Sequence, residues 1–133
     1  MLAYIIAWVV AAAVFLSLDA LWFARMVPRF YRPIIGEIMR PTPNLTAAGA
    51  FYAIYVSGVL FFAVTPGLEQ ASAEKAILNG ALLGFFAYAT FDLTSHAIMR
   101  AWSTKLTLVD MAWGTFATAL ASGAAYTAAS ALS

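Results

Sequence analysis

Four stretches of this chain contain no Asp, Glu, Lys, Arg or His: Met1–Leu18, Pro41–Leu68, Ala76–Phe91 and Met111–Ser133. A helix needs ~20 mostly apolar residues to cross ~30 Å of hydrocarbon. Allowing a carboxylate at an end, each stretch supplies or nearly supplies them, which predicts helices near residues 2–24, 47–65, 76–99 and 108–132. The remainder of the composition agrees. Of 133 residues, 64% are apolar and 10% charged, with mean hydropathy +0.87, whereas about a quarter of a soluble domain is charged. Too little polar side chain exists to cover a water-facing surface, and the same apolar excess excludes disorder. The short alternating segments of a strand barrel are absent. The expectation is a single transmembrane domain over residues 1–133, an all-α integral membrane bundle of four spans. The first segment has no basic leader and runs into Asp19-Ala20-Leu21-Trp22 without a good cleavage site, so it reads as a retained helix rather than a signal peptide.

The breaks carry their own signals. Pro41-Thr42-Pro43-Asn44 stops one segment and can cap the next, Pro66-Gly67 reads as a turn, and Thr107-x-x-Asp110 has the form of a capping box. The basic residues set the orientation. Arg25, Arg29, Arg32 and Arg40 fall in the first connection and Arg100 and Lys105 in the third, leaving Lys75 alone in the second. By the positive-inside rule the first and third connections face the cytoplasm and both termini lie outside it, as a multi-pass protein of a bacterial inner membrane. Such a bias also argues against a dual-topology dimer. Trp22, Trp102 and Trp113 near one interface, with Tyr4, Trp8 and Tyr126 near the other, match an aromatic belt. A net charge of +1 suggests no nucleic-acid partner, and the lack of cysteine removes disulfides and thiolate chemistry. The partners implied are the lipid bilayer itself and either a second copy or a larger membrane complex.

Within the first connection, Arg29, Arg32, Gly36 and Arg40 share one helical face and Ile34, Ile35, Ile38 and Met39 the opposite one. This predicts a short amphipathic interfacial helix over Pro33–Arg40, its arginines offered to anionic headgroups. Gly80-x-x-x-Gly84 is a small-x-x-x-small packing motif, repeated less strictly by Gly49, Ala53 and Ser57 and by Gly114, Thr118 and Ser122.

The chemistry, if any, lies with a few acids near one membrane face. At ~1.5 Å per residue, Asp19 and Asp92 sit ~8–10 Å inside their helix ends, with His96 and Asp110 shallower at ~4 Å. A charge in hydrocarbon costs several kcal/mol, so such residues normally face the bundle interior or a wet cavity. One cytoplasm-facing acid/His cluster is therefore expected, built from Asp19, Asp92, His96 and Asp110, with Trp22, Trp113, Thr94, Ser95 and Arg100 around it. Asp19 and Asp92, meeting at one depth, would share a proton. Asp and His without a third close ligand do not specify a metal site, so none is assigned, and no cofactor is named. Serine triads, Walker loops and zinc-protease motifs are absent.

Phe91-Asp92-Leu93-Thr94-Ser95, then Trp102 and Asp110-Met111-Ala112-Trp113-Gly114, together with Asp19-Ala20-Leu21-Trp22 and a first loop containing Tyr and Pro, resemble domain-of-unknown-function family 2177 over nearly the whole chain. These are small predicted bacterial membrane proteins. The resemblance implies four spans and no assigned activity; the family pattern has Asn where this chain has Ser95. Asp19-x-x-Trp22 and Asp110-x-x-Trp113 also echo each other within the chain. Three function classes follow. The first is a module that binds or carries a small amphipathic or lipid-like ligand through the acid/His cluster, with proton linkage. The others are an accessory subunit of a membrane complex, and an enzyme on a lipid-like substrate with Asp92 or Asp19 as base and His96 as acid.

Overall fold

The computed structural model describes residues 1–132. It is built of four helical rods: α1 (Leu2–Met26, prolonged without a break to Ile38), α2 (Leu45–Glu69), α3 (Ala73–Ile98) and α4 (Thr104–Ser130). No strand occurs among the described residues. Helix α4 is the central one, packing along α3 on one side and α1 on the other. The sequence explains this position. Ala117, Ala121, Ala125 and Ala129 recur every fourth residue and are wholly buried, against Ala7, Ala11 and Phe15 of α1 and Tyr55, Val56 and Val59 of α2. Alanine lets helix backbones approach where no water is present to drive them together.

The outside is apolar. Ile5, Val9, Phe61, Phe62, Leu78, Phe86 and Phe116 are exposed, which suits hydrocarbon as the solvent and not water. Three rods, Leu2–Ile38, Leu45–Glu69 and Ala73–Ile98, are long and apolar enough to cross a membrane. Helix α4, at 27 residues, matches them in length but is richer in Gly, Ser and Thr. Ten of its residues are buried inside the bundle, so its neighbours, rather than its own side chains, shield it from lipid. The structure thus supports three to four spans.

Two boundaries differ from the sequence reading. Pro66-Gly67 does not end α2, which continues to Glu69 and turns at Ala71, whose φ is 50°. The missing N–H of Pro66 would orphan the carbonyl of Phe62, four residues back. The Asn79 amide of α3 donates to that carbonyl at 2.9 Å instead, beside a π-helical stretch at Leu60–Val64. Gly67 matters for a separate reason. A Cβ there would stand 2.7 Å from the Cβ of Ala76, so glycine allows α2 and α3 to close their turn. The second difference concerns α4. Ser103, not Thr107, caps it, accepting from the Leu106 N–H at 3.1 Å. The Thr107 hydroxyl bonds the Ser103 carbonyl and receives the Trp102 indole N–H, so the supposed capping box is an interior turn. Asn44 does cap α2, accepting from the Ala47 N–H.

Gly80 and Gly84 face α4 within the same chain. A Cβ on Gly80 would collide with Ser122, and one on Gly84 with the Gly114 carbonyl oxygen. Gly114 in turn lies under the ring of Tyr88. By contrast, nothing lies within 4 Å of a Cβ built on Gly49, so the small residues of α2 do not serve this packing.

Candidate functional site

The start of α4 at Ser103 moves Asp110 inward by about a turn. It now lies about 9 Å from the start of α4, as Asp92 lies about 9 Å from the end of α3, and Asp19 about 10 Å from the end of α1. All three acids are buried, at 3% exposure for Asp19, 0% for Asp92 and 8% for Asp110. The pairing that follows is not Asp19 with Asp92. Asp92 neighbours Asp110, while Asp19 is held separately by two donors of its own.

Asp19 receives the Trp113 indole N–H at 3.0 Å and the Tyr52 hydroxyl at 2.7 Å, one on each oxygen. Asp110 receives the Tyr31 hydroxyl at 2.6 Å, and the Tyr31 oxygen accepts the Trp22 indole N–H at 2.9 Å. The rings of Trp22 and Trp113 stack with centroids 4.3 Å apart and planes within 8°. The two Asp-x-x-Trp segments are therefore crossed. The tryptophan of α4 serves the acid of α1 directly, and that of α1 serves the acid of α4 through Tyr31. Both indoles point their N–H groups into this network rather than toward a headgroup layer, which corrects their assignment to an aromatic belt. Neither oxygen of Asp92 meets a protein donor.

Other members of the expected cluster stand apart. His96 is half-buried, and its Nε2 lies 3.5 Å from the Thr104 hydroxyl, with no bond to any acid among the described residues. Ser95 is buried on α3, one turn from Asp92, but joins none of these bonds. Thr94 bonds back to its own helix at the Thr90 and Phe91 carbonyls. Arg100 is exposed in the turn before α4, and Arg29, Arg32 and Arg40 are exposed in the first connection. There the helical continuation of α1 buries Tyr31 and Ile35 against Leu106, with Ile34 and Met39 alongside. Much of its apolar side thus faces the bundle end. Among the described residues no three His, Cys, Asp or Glu side chains converge as metal ligands.

Tyr31, Tyr52 and Tyr88 line the site; Tyr31 is the first-loop tyrosine of the family resemblance, but no sequence motif singles out Tyr52 or Tyr88. The signal that could have found one of them is depth: Tyr52 lies about 10 Å from the start of α2, level with the acids of the other three helices. It is the polar group that α2 contributes to Asp19. Replacing Tyr31 by Phe keeps the ring but leaves the Trp22 N–H and one Asp110 oxygen without partners. We expect a loss of about 2 kcal/mol in stability, read as a lower melting temperature in detergent micelles, with a shift of tryptophan emission as Trp22 loses its acceptor.

Beside this network lies a cavity of about 730 Å³. Asp19, Asp110, Tyr31, Tyr52, Tyr88 and Trp102 line it, with Phe23, Ile35, Ile38, Met39, Ala48, Phe51, Ala87, Phe91 and Met99. Phe23, Ile38, Phe51, Phe91 and Met99 are exposed, so its mouth opens between the helices on the apolar surface. Small-molecule sites typically measure ~300–1,000 Å³ and combine apolar walls with a few placed polar groups. The cavity fits that description.

No curated protein and no solved structure matches the chain. A family model described as predicted membrane protein, DUF2177, matches residues 4–127. With fold, span pattern and match in agreement over nearly its whole length, the chain belongs to the DUF2177 family of predicted membrane proteins.

Proposed function

We propose that this protein binds, and exchanges with the bilayer, a small amphipathic or lipid-like molecule. The ligand enters the cavity between the helices, places its tail among Phe51, Phe91 and Met99, and places its polar end at Asp19 and Asp110. The observation that carries this reading is the cavity itself. A space of about 730 Å³ joins an exposed apolar mouth to two buried carboxyl groups. The basic first and third connections support a cytoplasmic position for this end, in a bacterial inner membrane.

The test uses the protein in phosphatidylcholine nanodiscs and a bromine-labelled dodecanol, whose bromine quenches nearby tryptophan. Trp102 lines the cavity, and Trp22 and Trp113 adjoin it. Quenching is expected to saturate, and to need at least about ten times more probe in Ala87→Phe and Ala48→Phe, which fill the cavity, because filling it displaces a tail whose burial is worth ~0.8 kcal/mol per CH₂. Linear, unsaturable quenching that is the same in both variants would overturn the proposal. Native mass spectrometry of the same particles distinguishes the accessory-subunit reading, which calls for a larger protein in complex and no retained small molecule.

A further inference from the structure

The donor and acceptor balance around the cavity specifies its ligand further. Asp19, Asp92 and Asp110 present six carboxyl oxygens. Protein donors reach three of them: Trp113 and Tyr52 on Asp19, and Tyr31 on Asp110. Asp92, wholly buried behind the lining, has no donor on either oxygen. No Lys, Arg or His lines the cavity. Buried acids without a cationic partner stay ionised only where something brings positive charge to them. The remaining lining is aromatic at several points, including Tyr88, Phe51 and Phe91, and ring faces attract cations.

Resting on the reading of this cavity as a ligand site, we infer that its ligand is an organic cation, an amphiphile with an ammonium or amidinium head set between Asp110 and Asp19. Such a head offers N–H donors to Asp110 and Asp19 and brings the positive charge that the lining lacks. A phosphate or sulfate head meets repulsion from the acids and finds no basic side chain. A neutral alcohol supplies one donor and no charge. The hydrocarbon tail is common to all three and leaves by the same mouth, so the head alone sets the preference.

Competition against the bromine-labelled dodecanol in nanodiscs measures that preference. Dodecylamine is expected to displace the probe at least about tenfold more effectively than unlabelled dodecanol, the scale of one charge-assisted hydrogen bond. Dodecyl phosphate is expected to displace it worst. In Asp110→Asn, which keeps an acceptor for Tyr31, the amine is expected to fall to the level of the alcohol while the alcohol itself still competes. Asp19→Asn gives an independent second variant. If the alcohol or phosphate competes as well as the amine in the unaltered protein, the cation inference is wrong although the cavity still binds. An amine preference that persists in both variants also overturns it, since the acids are then not its cause. If no head group competes and quenching never saturates, the cavity reading itself fails.

Discussion

Gly84→Leu is expected to destabilise the bundle by about 3 kcal/mol or more, the upper range for forcing extra atoms into a packed interface. The reason is specific to where the added atoms would go. A Cβ on Gly84 collides with the Gly114 carbonyl oxygen and comes within 2.9 Å of the Thr118 side chain. Gly114 itself has the Tyr88 ring laid over it. A flexible side chain could swing away, but a backbone carbonyl moves only if α4 moves. Separating α3 from α4 also pulls apart Asp92 and Asp110, so the substitution damages packing and site together. Gly49→Leu is the control, because nothing lies within 4 Å of its Cβ. There the exchange removes a glycine from a helix interior, and stability is expected to hold or rise by up to about 1 kcal/mol. Melting curves of the two variants in one detergent make the comparison. Equal effects at the two positions would show that the α3–α4 contact is not the close one described.

Asp19→Ala is the second large effect. It leaves two partly buried donors, the Tyr52 hydroxyl and the Trp113 N–H, with no acceptor. At roughly 1–3 kcal/mol for each orphaned group, a loss of about 2–6 kcal/mol is expected. The same account predicts recovery when the donors go too. Asp19→Leu combined with Tyr52→Phe and Trp113→Phe leaves nothing unsatisfied, and most of the stability is expected to return while ligand binding does not. The comparison separates the cost of orphaned donors from any value of the charge, and the coupling between the sites is read as non-additivity. An Asp19→Ala protein as stable as the original, or a triple variant worse than the single one, would contradict the network.

The helical bundle was legible because charge-free length is a strong signal and the bilayer permits few alternatives. Three buried acids were legible, but not their pairing or their surroundings: His96, Ser95 and Arg100 stand apart, and Tyr52 and Tyr88 went unseen. Asp19, Asp92 and Asp110 were identifiable as costly residues at one end, yet depth arithmetic paired the wrong two. A single boundary caused the error. Thr107-x-x-Asp110 has the spacing of a capping box, but Ser103 lies one turn earlier and takes the cap, carrying Asp110 inward to the level of Asp92. Pro66-Gly67 misled for a related reason: a proline marks a break only when nothing else satisfies the carbonyl it frees, and Asn79, on another helix, does so. Neither substitution of partner is visible in a local pattern. The echo of Asp-x-x-Trp in α1 and α4 was visible, but its meaning, each tryptophan serving the opposite acid, exists only once the two indoles stack.

The central claim is that α1, α2 and α4 meet at a carboxyl group that faces inward. Solid-state NMR of the protein in lipid bilayers tests it most directly, with ¹³C in aspartate and ¹⁵N in the indoles. The chain has only 4 Trp, so the indole signals can be resolved. The account predicts a through-space cross-peak between Trp113 Nε1 and the Asp19 carboxyl carbon, from a nitrogen–oxygen separation of 3.0 Å. No such peak, with the Asp19 carboxyl instead showing contact to acyl-chain protons, would contradict it.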